Sequence, residues 1–455
     1  MEEKNAKLET TGWRRYVLME PAVFLTLLAN GMTSNVLTDL ILFQTCRHIM
    51  ATNKTSCDIL HTNSSSQEAR ELSKIIQPHA SYIIMSTSLM RSILPALLIL
   101  FFGPWSDKYG RKPLILIGSF VPLCRYIILC TLSSFDANPW LYLLPYVPTA
   151  LLGSGLLLAT TCYVSDTTHP EKRAWRLACL QTCVHVGLVI GTLIGPLIFK
   201  RLGYTYLFII AAFSSLSSLL YIVFVVPESV KNESNKKWGN PFDLSLVKQL
   251  VLTCTKKRDG LNRGMLWSCL LVLSFSKILT NGHTNVIYLF VNAKLGWDVV
   301  RYSMFHSFSM VITIIGTFGG VKVMKHYIGF RDISIILVGS LSGFLSTMCL
   351  SFATESWHMY LEVCLGVFIG VILPTTRSLI SASAPIDDTG KVFSLVSFVD
   401  TLLPLGSAPL YSLLYSSYIS VYPSPVYLMT SGIFMSMIFV SIFIYLKYFK
   451  EKSLN

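Results

Sequence analysis

Long apolar stretches and short polar segments alternate along the whole chain. The apolar stretches fall at 17–45, 81–102, 113–133, 141–165, 177–199, 204–226, 266–291, 302–324, 331–353, 357–381, 391–416 and 424–447. Each approaches or exceeds the roughly 20 residues that an α-helix needs to cross a bilayer core about 30 Å thick. Within them apolar residues run continuously and do not alternate with polar ones, which argues against a β-barrel. The pattern predicts an all-α membrane protein of about twelve transmembrane helices. Residues 1–16 are polar, with no apolar run ahead of a small-residue cleavage site. The first stretch is therefore expected to remain as a helix and not to be removed as a signal peptide.

Of the 455 residues, 52% are hydrophobic and 13% charged. A soluble domain carries roughly 25% charged residues, so this chain has too few to cover a water-facing surface. The formal net charge of +13 does not point to nucleic acid, because the basic residues sit in short segments between apolar stretches and form no groove-sized face. They set orientation instead. Arg14 and Arg15, Lys108, Arg111 and Lys112, Lys172, Arg173 and Arg176, the basic run of 227–265, and Lys447, Lys450 and Lys452 share one side if the spans are even in number. The positive-inside rule makes that side cytosolic. The expected organisation is a cytosolic tail 1–16, a six-helix bundle 17–226, a cytosolic connection 227–265, a second six-helix bundle 266–447 and a tail 448–455. Two such halves are what a molecule rocking around a midplane site requires.

The first outer loop, 46–80, is polar and contains Asn53-Lys54-Thr55 and Asn63-Ser64-Ser65, both glycosylation acceptors. Asn53 and Asn63 are expected to be modified, whereas Asn232-Glu233-Ser234 lies on the cytosolic side and is expected to stay bare. Cys46 and Cys57 fall in this non-cytosolic loop and are the candidates for a disulfide. The other cysteines lie in spans or in the central connection, without metal-type spacing, and are expected to pack.

The loop after the second span reads Gly103-Pro-Trp-Ser-Asp107-Lys108-Tyr-Gly110-Arg111-Lys112. Gly110 permits a tight turn with positive φ. Asp107, at a helix end, can meet the positive N-terminus of another helix. Arg111 can hold a carboxylate bidentately. The loop resembles the signature of the major facilitator superfamily. That resemblance implies a cytosolic gate in which Asp107, Gly110 and Arg111 work with Asp166 at the end of the fourth span and with the start of the eleventh span near Gly390. The corresponding loop of the second half, from Gly320 to Arg331, is degenerate and has no Asp in the place of Asp107. Gly187, Gly191, Gly195 and Pro196 in the fifth span predict close helix packing and a bend.

Further segments extend the likeness along most of the chain. They are Glu20-Pro21, Trp105 to Lys112, Val164-Ser-Asp166, Phe199 to Gly203, Val226 to Val230, Leu295 to Asp298, Thr376-Arg377-Ser378 and Gly390 to Phe393. In these the chain resembles solute carrier family 46, the proton-coupled folate transporter family. The resemblance implies transport of amphipathic organic anions, often with protons, at the plasma membrane or alternatively in the lysosomal membrane. It also gives Arg377 the place of an arginine that affects substrate. The chain departs from the folate transporter at Gln181, where a coupling carboxylate is expected, and at Ile278, where a histidine is expected. Its outer loop 292–301 also has no cysteine.

Ionisable groups inside a bilayer are costly, by at least ~2.5 kcal/mol on insertion scales, and face a cavity or a partner. The interior cations are Arg91, Arg125, Lys277 and Arg377; the acids are Asp39, Glu362 and Asp400. The cation excess suits carboxylate, phosphate or sulfate groups. Arg377, Lys277 and Arg91 are the candidate substrate contacts, with Tyr288 a candidate to cover a ring. Arg377 follows Pro374, where a bend is expected to open the helix. Asp39, His283 and Asp400 are the candidates for carrying a coupled proton. No HExxH, GxSxG or Walker loop is present, so neither an enzyme nor an ATP-driven pump is expected. No cofactor, metal or nucleic acid is expected; the partners are a small organic anion, protons and the lipid bilayer. The function expected is secondary transport by alternating access, with a non-transporting membrane receptor on the same fold as the alternative.

Overall fold

The computed structural model describes residues 18–49, 57–62, 66–153, 155–167, 170–228, 263–382, 402–418 and 424–448, with Val396, Val399, Asp400 and Tyr422. Asn53, Asn63, Asn232, Gly390, residues 1–17 and 449–455, and 229–262 of the central connection lie outside the described residues, as do the side chains of Asp107, Asp166 and Gln181. Every regular element among the described residues is helical. Leaving short helical turns unnumbered, the helices are α1 Glu20–Ile49, α2 Gln67–Tyr109, α3 Lys112–Ser133, α4 Leu156–Thr167, α5 Pro170–Leu202, α6 Tyr204–Val225 and α7 Arg263–Leu295. They continue with α8 Val299–Lys322, α9 Asp332–Ser351, α10 Ser356–Leu365, α11 Ile372–Ala382, α12 Pro404–Ser417 and α13 Pro425–Tyr448.

Among the described residues nine helical stretches are long and apolar enough to cross a membrane. The sequence pattern has three more, and each has a local reason for falling outside that set. α1 has the length but carries Asn30, Thr33, Ser34, Asn35, Thr38 and Asp39 along its middle. Its hydroxyls return to its own carbonyls, Thr26 to Ala22, Thr33 to Ala29 and Ser34 to Gly31, so these polar groups are satisfied without water. The stretch 141–165 is broken into the 3-10 turn Pro139–Tyr146, the short helix Val147–Leu152 and α4, with Gly153 at φ +79° between the last two. The stretch 391–416 lies partly outside the described residues, leaving α12.

The chain forms two compact units, one of Met1–Gln44 with Met90–Lys248 and one of Thr45–Leu89 with Gln249–Asn455. In the first unit α3 packs along α6, and α5 packs against α1 through small residues. A Cβ on Gly31 would sit 2.6 Å from the carbonyl of Leu188, and Cβ atoms on Gly191 and Gly195 would collide with the carbonyls of Leu28 and Met32. The glycines permit a backbone approach that no side chain fits. α5 continues through Pro196 as one helix.

In the second unit α9 packs along α13 and α7 along α12. The tenth apolar stretch is two helices. The expected opening at Pro374 is displaced to the turn 366–371, and Pro374 sits in the first turn of α11. The reason is that a first-turn proline has no i−4 carbonyl to clash with. Ser342 of α9 repairs the break: its hydroxyl donates to the Leu365 carbonyl and accepts from the amide of Phe368.

The second unit also contains residues that the sequence division assigns to the first half. On α2, Ser73, Gln77 and Ser81 recur at helical spacing and make one polar stripe. Tyr415 donates to Gln77 at 2.5 Å, Gln77 donates to Asn292 at 3.1 Å, and Ser81 donates to the Ser412 carbonyl. Ser88 bonds Asn285. These bonds join 45–89 to α7 and α12. Cys46 and Cys57 are joined as a disulfide with a Cα–Cα distance of 5.9 Å.

Candidate transport site

Three charged side chains converge in the second unit: Lys277 from α7, Arg377 from α11 and Asp400 ahead of α12. Arg377 Nη2 donates to Asp400 Oδ2 at 3.0 Å, and Lys277 Nζ lies 3.6 Å from the same oxygen. Two cations thus share one carboxylate, and the cluster keeps a positive charge. Among the described residues Asp400 Oδ1 is buried with no hydrogen-bond partner, while the Arg377 side chain keeps 43% of its surface exposed. The cations of such a group can hold an oxyanion. Glu362 is engaged elsewhere, accepting from Ser346 at 2.9 Å.

Other residues singled out in this half are packed among aromatics. Tyr288 is 4% exposed, and its ring lies 5.1 Å from that of Tyr302, which in turn stacks on His306. Tyr288 is therefore buried in the second unit and not on an open wall. His283 meets Tyr427 edge-on at 5.9 Å.

In the first unit, Arg91 and Arg125 lie over one ring. Their guanidinium carbons are 5.1 and 5.9 Å from the centroid of Tyr146. Arg125 Nη2 also donates to Asn30 Oδ1 at 3.2 Å and to the Tyr126 hydroxyl at 2.8 Å. Asp39 is buried and accepts from Tyr204 at 2.7 Å.

The loop between α2 and α3 turns at Gly110, which has φ +123°. A Cβ there would lie 2.7 Å from Glu228 Oε2. The Glu228 carboxylate accepts from the backbone amides of Arg111 at 2.8 Å and Lys112 at 3.1 Å, so an anion sits on the positive start of α3. Nearby, Glu20 and Arg176 form a buried ion pair at 2.8 Å. The second half repeats the device in altered form: Gly329 has φ +75°, and Asp332, at the start of α9, pairs with Lys325 at 2.7 Å.

A family model of the Major Facilitator Superfamily matches residues 21–408. The chain belongs to that superfamily. It is a multi-pass membrane protein and a secondary transporter of small organic solutes, and the superfamily is one of transporters and not of enzymes. Among curated proteins it is 28% identical over 421 residues to the probable peptidoglycan muropeptide transporter SLC46 of Drosophila melanogaster, covering 89% of this chain and 81% of that protein. It is 23% identical over 436 residues to the lysosomal proton-coupled steroid conjugate and bile acid symporter SLC46A3 of Mus musculus, covering 91% of each. The fold matches the crystal structure of the human organic anion transporter MFSD10 with a TM-score of 0.66 at 17% identity, covering 95% of this chain and all of that one. The resemblance to solute carrier family 46 thus extends over nearly the whole chain.

Some residues of this superfamily member escaped the sequence reading. Glu228 appeared only within the segment Val226 to Val230. Its role at Gly110 depends on the end of α6 meeting the start of α3. Asn30 and Tyr126 gave no signal, although a polar residue midway along α1 could have drawn attention as a partner for Arg125.

Proposed function

We propose that this chain is a proton-coupled symporter of amphipathic organic anions, with Lys277, Arg377 and Asp400 as the place where proton and anion are exchanged. The observation that carries this reading is the sharing of one Asp400 oxygen by two cations, beside a second oxygen that is buried and, among the described residues, unpartnered. While Asp400 is charged it neutralises one cation and weakens the attraction for an anion. Once it takes a proton, both cations are free for a carboxylate, sulfate or phosphate. Proton uptake and anion uptake then favour each other, as linkage requires. Arg377 supplies a planar fork for the anion and Lys277 a point charge. The gate built on Asp107, Gly110, Arg111 and Asp166, with Glu228 seated on the loop, governs access from the cytosolic side. The relatives named for muropeptides, steroid conjugates and bile acids support an anionic substrate, at the plasma membrane or the lysosomal membrane.

The test is uptake of a labelled bile acid, a steroid sulfate and a muropeptide into proteoliposomes, at an outside pH of about 5.5 and about 7.4. At least one should accumulate faster at the acidic value. Asp400→Asn should retain exchange of that solute and lose the dependence on pH. An Asp400→Asn protein with the full wild-type pH response sinks the coupling role, and no uptake of any of the three at either pH sinks the substrate class.

A further inference from the structure

We infer that Arg125, Asn30 and Tyr126 form a second oxyanion-binding subsite, in the first unit of the molecule. This rests on the reading of the chain as an organic-anion transporter and adds to it. Arg125 lies midway along α3, in the apolar run Leu114 to Cys130, where a cation needs an anionic partner. Among the described residues no carboxylate lies within ion-pair distance of it. Its two hydrogen-bond partners are neutral: the amide oxygen of Asn30 at 3.2 Å and the hydroxyl of Tyr126 at 2.8 Å. Its Nε is buried and has no hydrogen-bond partner among the described residues.

The two neutral groups have a consequence for ligand chemistry. By accepting from Arg125, Asn30 and Tyr126 each commit an oxygen lone pair to it. Each also carries donors, the Asn30 amide N–H groups and the Tyr126 O–H. Arg125 adds its Nε–H. A positive charge with donors on all three residues favours an oxyanion over a cation. The Tyr146 ring, 4% exposed and covered by both Arg91 and Arg125, offers no open face for a substrate ring. The subsite thus takes a carboxylate, sulfate or phosphate group and leaves the apolar part of the ligand to other walls. Arg91 over the same ring adds a second positive charge.

The test uses the purified full chain in detergent, with phenyl sulfate as the probe against sodium chloride at constant ionic strength. The readout is the concentration of phenyl sulfate that gives half of the thermal stabilisation. Arg125→Gln should raise that concentration about tenfold or more, the range expected for a lost charge-assisted bond. Because Arg125→Gln also removes a buried contact, Asn30→Asp provides an independent arm. It places a carboxylate on Arg125 at the existing contact, which satisfies the guanidinium internally and preserves folding. The subsite then carries its own anion, and Asn30→Asp should fold well and weaken phenyl sulfate by a similar factor. A wild-type response in folded Asn30→Asp overturns the subsite while leaving the Lys277–Arg377 reading intact. The uptake assays decide the Lys277–Arg377 reading independently, while absence of any stabilisation of the wild type by phenyl sulfate or by phosphatidylglycerol overturns the subsite. Stabilisation by phosphatidylglycerol that Asn30→Asp abolishes, with none by phenyl sulfate, overturns it in favour of a lipid headgroup.

Discussion

Arg377 was singled out by its charge inside an apolar stretch, and its partner Asp400 decides how it can be used. A guanidinium paired by one carboxylate oxygen and still 43% exposed has donors left for a ligand. Arg377→Lys keeps the charge and loses the fork, so affinity should fall while some transport survives. Arg377→Ala should abolish nearly all uptake while the protein still reaches its membrane, with initial rates and surface labelling measured side by side. The double variant Arg377→Ala with Asp400→Ala separates binding from pairing. If the double variant recovers uptake, Arg377 serves Asp400 and not the substrate. Lys277 remains in that variant, so recovery has a cation to draw on and the comparison is a fair one.

Helices in this chain meet where side chains are absent or where polar groups are paired. α5 approaches α1 through Gly187, Gly191 and Gly195, and this contact has no room for a larger residue. Gly191→Leu should destabilise by at least the ~1–3 kcal/mol typical of overpacking, read as loss of surface protein and a lower unfolding temperature, while Leu at the unobstructed Gly432 of α13 should be tolerated. A Gly191→Leu protein with wild-type abundance and unfolding temperature contradicts the packing account. The turn between α2 and α3 relies on Glu228 accepting from two amides. Glu228→Ala, Asp107→Ala and Arg111→Ala should each lower turnover more than abundance, because weakening a gate shifts populations without removing the binding site. Wild-type turnover in all three removes the gate.

At the scale of the whole molecule, orientation follows from the placement of Lys and Arg. Both termini should be cytosolic, so epitope tags at either end should become accessible to antibody only after the cells are permeabilised. Changing Asn53 and Asn63 to Gln should shift the band on a gel as enzymatic deglycosylation does, and Asn232→Gln should not. Tags labelled in intact cells overturn the topology, and a band unmoved by the outer changes overturns the glycan assignment.

The spans, the family loop and the isolated interior charges were legible in the sequence, because each follows from local composition. A bilayer demands a continuous apolar run and an internally bonded backbone, so most helices are written into consecutive residues. Gly110 was legible for the same reason: a turn with positive φ is a property of one residue. Partnership was not legible. Asp400 lies 123 residues from Lys277 in the chain and shares its carboxylate with Arg377; Asn30 reaches Arg125 from another helix; Ser342 repairs a break in the neighbouring stretch. Span hydrophobicity places such residues in the membrane without fixing how each helix is rotated about its axis. That rotation is set by small residues and polar contacts between helices far apart in sequence. The sequence therefore determined that this chain crosses a membrane, to which superfamily it belongs and which charges are out of place there. Only the tertiary structure decided which of those charges meet, because helix packing alone brings together groups that local composition leaves independent.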